Sequence, residues 1–316
     1  MSLMIILREE LMTKLSIIIP VYFSEDTLMD CYLDIKENII PKLESYELIL
    51  VDDGSEDDSF NICKKIAMMD SNVRVIKLSR NFGSHAACLA GLYASTGDCA
   101  TIKAADLQEP STLILDMYAS HSKGNKVVLA VRKSREDKSL FSSIYYASIK
   151  KFVNKKMPKE GFDCYLLDRK AIEALKLLDE RNSAITLQIL WSGFQTDMIY
   201  YDRLDRTKGK SKWTLAKKIK LVVDSFVSFS SVPIRIIGLI GSIFSMGAGL
   251  WAIALIVFSI LGIIAVDGWV SLMVLMLFSF GLIMIILGII GEYVWRILDV
   301  SQNRPVYFIE EEFKNE

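Results

Sequence analysis

The chain has 316 residues, 52% of them hydrophobic, with a net charge of −1 and a mean hydropathy of +0.32. That hydropathy excludes a purely soluble protein, and the balanced charge gives no sign of a nucleic-acid partner. Cys31, Cys63, Cys88, Cys99 and Cys164 form no CxxC pair, and with only His85 and His121 present no zinc-ligand spacing arises, so the cysteines read as reduced, ordinary residues.

Residues 1–13 are read as an N-terminal extension, because their short apolar start lacks a basic residue and runs into Arg8, Glu9 and Glu10, unlike a secretory signal. Residues 15–21 (LSIIIPV) and 46–51 (YELILV) are short β-branched runs flanking an amphipathic stretch at 27–40, a strand, helix, strand unit. Further strands are expected at 73–78, 99–105 and 126–131, and a helix at 84–94. This alternation implies a mostly parallel sheet with helices on both faces, an α/β nucleotide-binding domain over 14–210. The segments 139–157 and 212–229 are basic and amphipathic. The first reads equally as a helix packed on the domain or one lying in a membrane interface. The second leads into an apolar run and reads as an interfacial, juxtamembrane helix over 211–233.

Residues 236–266 carry no charge, Asp267 interrupts, and 268–291 are again uncharged until Glu292. Each run exceeds the about 20 residues that cross a bilayer core, so 234–296 is expected to be a hairpin of two spans, about 236–264 and 269–292. A pair of buried core helices is the alternative. Basic residues crowd before the first span (Arg203, Arg206, Lys208, Lys210, Lys212, Lys217, Lys218, Lys220, Arg235) and recur after the second (Arg296, Arg304), with none in the turn. The positive-inside tendency then places the N-terminal domain and the tail, 297–316, on the cytoplasmic side of a multi-pass inner (plasma) membrane protein. Gly238, Gly241, Gly288 and Gly291 could allow close helix contacts and a homo-oligomer, a weak signal. Two spans line no transport pathway unless they oligomerise.

Two acidic clusters follow expected strands. "VDDGSEDDS" sets Asp52 and Asp53 at a strand's carboxyl end, where carboxylates accept hydrogen bonds from a ribose hydroxyl or a base N–H and Gly54 permits a tight turn; the other reading is an acidic helix cap. "IKAADLQEPST" places Asp106 and Gln108 two apart, on one side of a strand end, a corner suited to a metal or a phosphate or simply a polar turn.

"SIIIPVY", "LILVDDGSEDDS", "LSRNFGSHAACLAGLYASTGD", "ADLQEP", "VRKSRED", "FDCYLLDR", "WSGF" and "YDRLDRTKGKSKW", then two spans and "RPVYFIEEE", occur in this order over nearly the whole chain. In that order they resemble the polyprenyl-phosphate glycosyltransferases of glycosyltransferase family 2, of the bactoprenol glucosyltransferase and dolichol-phosphate mannose synthase type. The resemblance implies a GT-A fold, a nucleotide-sugar donor, a divalent Mg2+ or Mn2+, and transfer with inversion to a polyprenyl phosphate such as undecaprenyl phosphate in the bilayer, for cell-envelope glycan modification; a UDP-sugar is the donor expected. Carried over by residue, it implies that Pro20, Tyr22, Asp52, Asp53 and Arg80 hold the nucleotide and that Asp106, with Gln108, binds the metal. Asp163 becomes base or sugar-orienting residue, and Arg132 a catalytic cation. Arg135, Arg203, Arg206, Lys210, Ser211 and Lys212 would serve the diphosphate and the lipid phosphate.

Three departures bear on activity. Ala104 stands where the family's D-x-D-L-Q-D-P has its first aspartate, Cys164 and Tyr165 replace Phe and Arg, and Thr186 and Leu187 replace an Arg-Gly pair. The first leaves open a working enzyme with a weakened or donor-dependent metal site, one using Glu109 as substitute, or an inactive relative. The alternative function is a non-catalytic or differently specific relative that binds nucleotide sugar or lipid phosphate within a glycan-assembly complex.

Overall fold

The computed structural model describes residues 13–133, 140–178, 184–204, 215–230, 232–261 and 268–315. It divides into two units, Met1–Val222 with Pro305–Glu316, and Val223–Arg304. In the first unit the strands are β1 (Lys14–Val21), β2 (Ser45–Asp52), β3 (Val73–Leu78), β4 (Cys99–Ile102), β5 (Val127–Arg132), β6 (Cys164–Asp168), β7 (Thr196–Tyr201) and β8 (Ile309–Lys314). They make one sheet in the order β7-β5-β6-β4-β1-β2-β3-β8. Parallel pairing joins β1 to β2 and β4, β2 to β3, and β5 to β7, whereas β6 and β8 run antiparallel to their neighbours.

The intervening helices are α1 (Leu28–Asn38), α2 (Ser59–Met69), α3 (Ser84–Ala94), α4 (Thr112–Ser122), α5 (Leu140–Phe152), α6 (Arg169–Lys176) and α7 (Ile185–Trp191). The sheet is covered on both faces, as continuous apolar strands require. Leu15, Ile17 and Ile19 of β1 bury against Leu28, Tyr32 and Ile35 of α1, Ile66 of α2 and Met117 of α4. Each such side chain, 2% exposed or less, contributes about 2 kcal/mol from apolar area removed from water. On the other face α3 brings Gly91 so close to Ile18 that any Cβ would run into the Ile18 side chain. All five cysteines are buried and free, and burial pushes Cys31, Cys88 and Cys99 up to about 12, which agrees with inert, reduced thiols.

The segment read as a tail ends in β8. Its backbone pairs with β3, Phe313 packs on the core, and Lys64 and Lys77 reach Glu311 and Glu310 at 2.6 and 2.9 Å. Farther up, the Ser79 N–H donates to the Phe308 carbonyl at 3.0 Å.

Helix α8 (Leu215–Phe229) precedes the long α9 (Val232–Ile260) and α10 (Trp269–Ser301). The last two are long and apolar enough to cross a membrane, with exposed Leu239, Leu250, Met276 and Ile285 along their surfaces. Within this unit Phe244 and Phe278 meet at 5.6 Å, and Arg296 donates to Asp224 at 2.7 Å and Ser228 at 2.9 Å.

Candidate active site

β1, β2, β4, β5 and β7 run in one direction, so their carboxyl ends share an edge of the sheet, the edge where open α/β sheets take ligands. Asp52 and Asp53 lie there, both buried. The Asp53 carboxylate accepts the Phe82 and Gly83 N–H groups at 2.7 and 2.9 Å, fixing the loop that enters α3. Burial pushes its carboxyl up to about 6, opposed by those two N–H groups. Asp52 accepts the Ser55 N–H through Oδ2 at 3.2 Å, and its Oδ1 is buried with no hydrogen-bond partner among the described residues. Burial raises this carboxyl too. An orphaned carboxylate oxygen is an acceptor waiting for a ligand hydroxyl or N–H.

Between them and the next loop, Gly54 has φ +68°, and a Cβ there would lie 2.5 Å from the Arg80 carbonyl carbon. Only glycine fits. Phe23, with φ +47°, donates its N–H to Ser55 Oγ at 3.2 Å and meets the Tyr22 ring edge-on at 4.7 Å. Pro20 comes two residues past Ile18, where pairing with β4 ends, so its missing N–H breaks no ladder. Arg80 stacks over the Phe82 ring at 4.2 Å, and Phe308 meets that ring at 6.3 Å. Pro20, Tyr22, Asp52, Asp53 and Arg80 thus belong to one corner.

The second corner corrects an expectation of geometry. β4 ends at Ile102, and residues 104–108 form a turn in which Leu107 has φ +58°, so strand alternation does not align Asp106 with Gln108. The turn itself joins them: Gln108 N–H donates to Asp106 Oδ1 at 3.2 Å. Arg203, just past β7, donates through Nη2 to Gln108 Oε1 and stands 3.8 Å from Asp106 Oδ2. At the end of β5, Arg132 donates to Asp163 at 2.5 Å. Burial alone would lower Arg132, but Asp163 and Tyr201 outweigh it and hold it above its ordinary value. Arg203 is held below its ordinary value by burial and by Arg132, against Asp106. Asp106, Gln108, Arg132, Asp163 and Arg203 therefore form one electrostatic cluster. Arg135, Arg206, Lys210, Ser211 and Lys212 lie outside the described residues.

Lys103 escaped the sequence reading. It is 1% exposed, donates through Nζ to the Glu109 carbonyl at 3.1 Å and lies 3.8 Å from Asp34. Lysine is almost never fully buried without a partner, so a lone Lys within the apolar "CATIKAAD" was the available signal. Glu109 Oε2 accepts the Ala104 N–H at 3.0 Å, which puts a carboxylate beside the position that lacks one, and burial raises its pKa against the opposing pull of Lys103. Cys164 and Tyr165 are core residues of β6, and Leu187 is buried in α7.

Oxygens of Asp106 and Gln108 turned toward one cationic nitrogen are the donor chemistry a hard divalent ion takes. Among the described residues no group of three His, Cys, Asp or Glu is placed to hold a metal, so two protein donors are what the turn offers.

The sequence profile of Glycosyl transferase family 2 matches residues 16–176, the span from β1 to the end of α6. The chain belongs to glycosyl transferase family 2. Among its relatives, the uncharacterized glycosyltransferase YkcC of Bacillus subtilis (strain 168) is 33% identical over 302 residues, 94% of each chain. A prophage bactoprenol glucosyl transferase homolog of Escherichia coli (strain K12) is 32% identical over 94% of this chain and 98% of its own. The bactoprenol glucosyl transferase of Shigella phage SfV is 32% identical over 95% and 99%. Among solved structures, the mannosyltransferase PcManGT of Pyrobaculum calidifontis, in complex with GDP-Man and Mn2+, superposes over 68% of this chain and 64% of that one, with a TM-score of 0.49 and 16% identity. As a family 2 glycosyltransferase, the chain has the mostly parallel α/β sheet expected of it, with β8 added from the segment read as a tail, and both corners lie at the carboxyl ends of its parallel strands.

Proposed function

We propose that this family 2 enzyme transfers a sugar, with inversion, from a UDP-sugar to a polyprenyl phosphate at the cytoplasmic face of the plasma membrane, for cell-envelope glycan modification. The observation that carries the reading is the cluster of Arg132, Arg203, Asp106 and Asp163 on the same sheet edge as the orphaned Asp52 oxygen. Full-length relatives named for bactoprenol glucosyl transfer support the acceptor class.

In this mechanism Asp52 accepts from the nucleoside while Tyr22 and Arg80 border it. A phosphate monoester is anionic at neutral pH, so it needs little help to attack the anomeric carbon, and positioning matters more than a strong base. Its oxygen forms the new bond as the bond to the nucleoside diphosphate breaks on the opposite side, which inverts the centre. Arg132 and Arg203 offer forks that bind two phosphate oxygens at once and offset charge on the leaving diphosphate. Asp163, held by Arg132, orients the sugar hydroxyls. Asp106 and Gln108 would hold Mg2+ or Mn2+, which supplies further charge stabilisation to the diphosphate. Arg135, Arg206, Lys210, Ser211 and Lys212 would meet the lipid phosphate, and α9 and α10 would anchor the enzyme in the bilayer.

Ala104, Tyr165 in the β6 core, and Thr186 and Leu187 where the family has an Arg-Gly pair favour a second reading, a binder without turnover. The test offers radiolabelled UDP-sugars and GDP-mannose with undecaprenyl phosphate to the detergent-purified protein, with Mg2+, Mn2+ or excess chelator. Lipid-linked product from a UDP-sugar supports transfer. Product from GDP-mannose alone overturns the donor, and nucleotide binding with no product from any donor favours the binder.

A further inference from the structure

The acidic turn already holds a cation. Arg203 Nη2 donates to Gln108 Oε1 and lies 3.8 Å from Asp106 Oδ2, the two side chains proposed above as metal donors. The placement is not that of a loose side chain end. The Leu204 N–H donates to the Gln108 carbonyl at 2.9 Å and Gln108 Nε2 donates to the Leu204 carbonyl at 3.4 Å, so the backbone of the strap after β7 delivers residue 203 to the turn.

Charge matching explains the arrangement. With Ala104 in place of an acid, Asp106 is the carboxylate that this turn directs at Arg203. A divalent ion held by Asp106 and Gln108 would be repelled by the guanidinium that engages the same two side chains. Arg203 shares its corner with a second guanidinium, that of Arg132, which is itself held by Asp163 at 2.5 Å. A diphosphate, with several anionic oxygens in a geometry that suits a guanidinium fork, offers Arg203 a better partner.

We propose that Arg203 is an exchangeable counter-cation of the Asp106–Gln108 turn, occupying the divalent ion's place while no donor is bound and leaving it for the diphosphate when a nucleotide arrives. Metal binding then depends on nucleotide because the nucleotide withdraws the competing charge as well as adding ligands. This rests on the metal reading of the turn, but its test reads ion binding and not sugar transfer.

Mn2+ binding to the full-length protein in detergent would be measured by the electron paramagnetic resonance signal of free Mn2+, without nucleotide and with saturating UDP. R203A and R203Q should each bind Mn2+ about tenfold more tightly than the parent without nucleotide, the size of effect that one nearby unit charge exerts. With UDP the gap should close. R203K, which keeps the charge, should stay within about threefold of the parent, and D106N should weaken Mn2+ binding in both backgrounds. Unchanged or weaker Mn2+ affinity in both R203A and R203Q would overturn the proposal, as would absence of Mn2+ binding in every protein. A protein that transfers no sugar yet shows the tightening would lose the proposed function and keep this exchange.

Discussion

The two corners of the sheet edge are built in opposite ways. The Asp52–Asp53 corner is held by backbone: Asp53 takes the N–H groups of Phe82 and Gly83, Asp52 takes that of Ser55, and Gly54 packs on the Arg80 main chain. The cation corner adds to one backbone tie, Leu204 to Gln108, a set of long side chains from distant segments, Arg203 to Gln108 across 95 residues and Arg132 to Asp163 across 31. Backbone contacts give a preformed cup, whereas side-chain ion pairs give a site whose partners can be exchanged. The first suits recognition of a constant group, and the second suits charge that arrives, shifts and leaves.

That contrast can be broken experimentally. The largest effect is expected from Asp106→Ala, which should slow transfer by about a hundredfold or more while leaving UDP affinity within a few-fold, because charge stabilisation is lost and the backbone cup is not. Equal loss of UDP affinity, measured by calorimetry, would merge the two corners. Gly54→Ala should cost about 2–3 kcal/mol of stability, read from denaturant unfolding, since the Cβ meets backbone at a positive φ. Arg132→Lys should lower kcat about tenfold by exchanging a fork for a point charge, with the unfolding midpoint unmoved.

A smaller effect concerns pH. Folding raises the Asp53 carboxyl from 3.8 to about 6, so its contribution to stability is fully present below about 4 and is lost as pH rises through about 6. Ligand binding runs the other way, because only the ionised carboxylate accepts both loop N–H groups. Uridine, which lacks a titrating phosphate, should bind a few-fold more weakly as pH falls through about 6, and Asp53→Asn should flatten that profile. The smallest effect belongs to Glu311→Ala: its exposed pair with Lys64 should be worth less than about 0.5 kcal/mol by double-mutant cycle.

The same contrast decides what could be read from sequence. β1, β2, β3 and α3 stand within a residue of their expected bounds, because continuous β-branched runs and an alanine-rich helix signal themselves locally. "VDDGS" was legible for the same reason: strand, acids and glycine are adjacent, although the Phe82, Gly83 and Arg80 backbone that Asp53 and Gly54 meet comes from a loop nearly thirty residues on. β6 and β8 were not foreseen, since "CYLLD" and "IEEEFK" become strands through antiparallel neighbours far away in the chain. Asp106 and Gln108 were found by resemblance, yet the strand alternation used to align them fails at the Leu107 turn. No local pattern could have placed Arg203 on them, whereas Lys103 left its lone charge within "CATIKAAD" as the one local sign of its burial.

β8 follows α9 and α10 in the chain yet pairs with β3, which precedes both. A ribosome releases β1 to β7 before it makes α9 and α10, and β8 comes only after both. Throughout that interval β3 is an open edge, a row of unpaired amides and carbonyls able to template a stray strand. The sheet is therefore zipped shut only after α9 and α10 have been made, and any delay in completing those two helices lengthens the time the nascent chain spends with that edge unpaired.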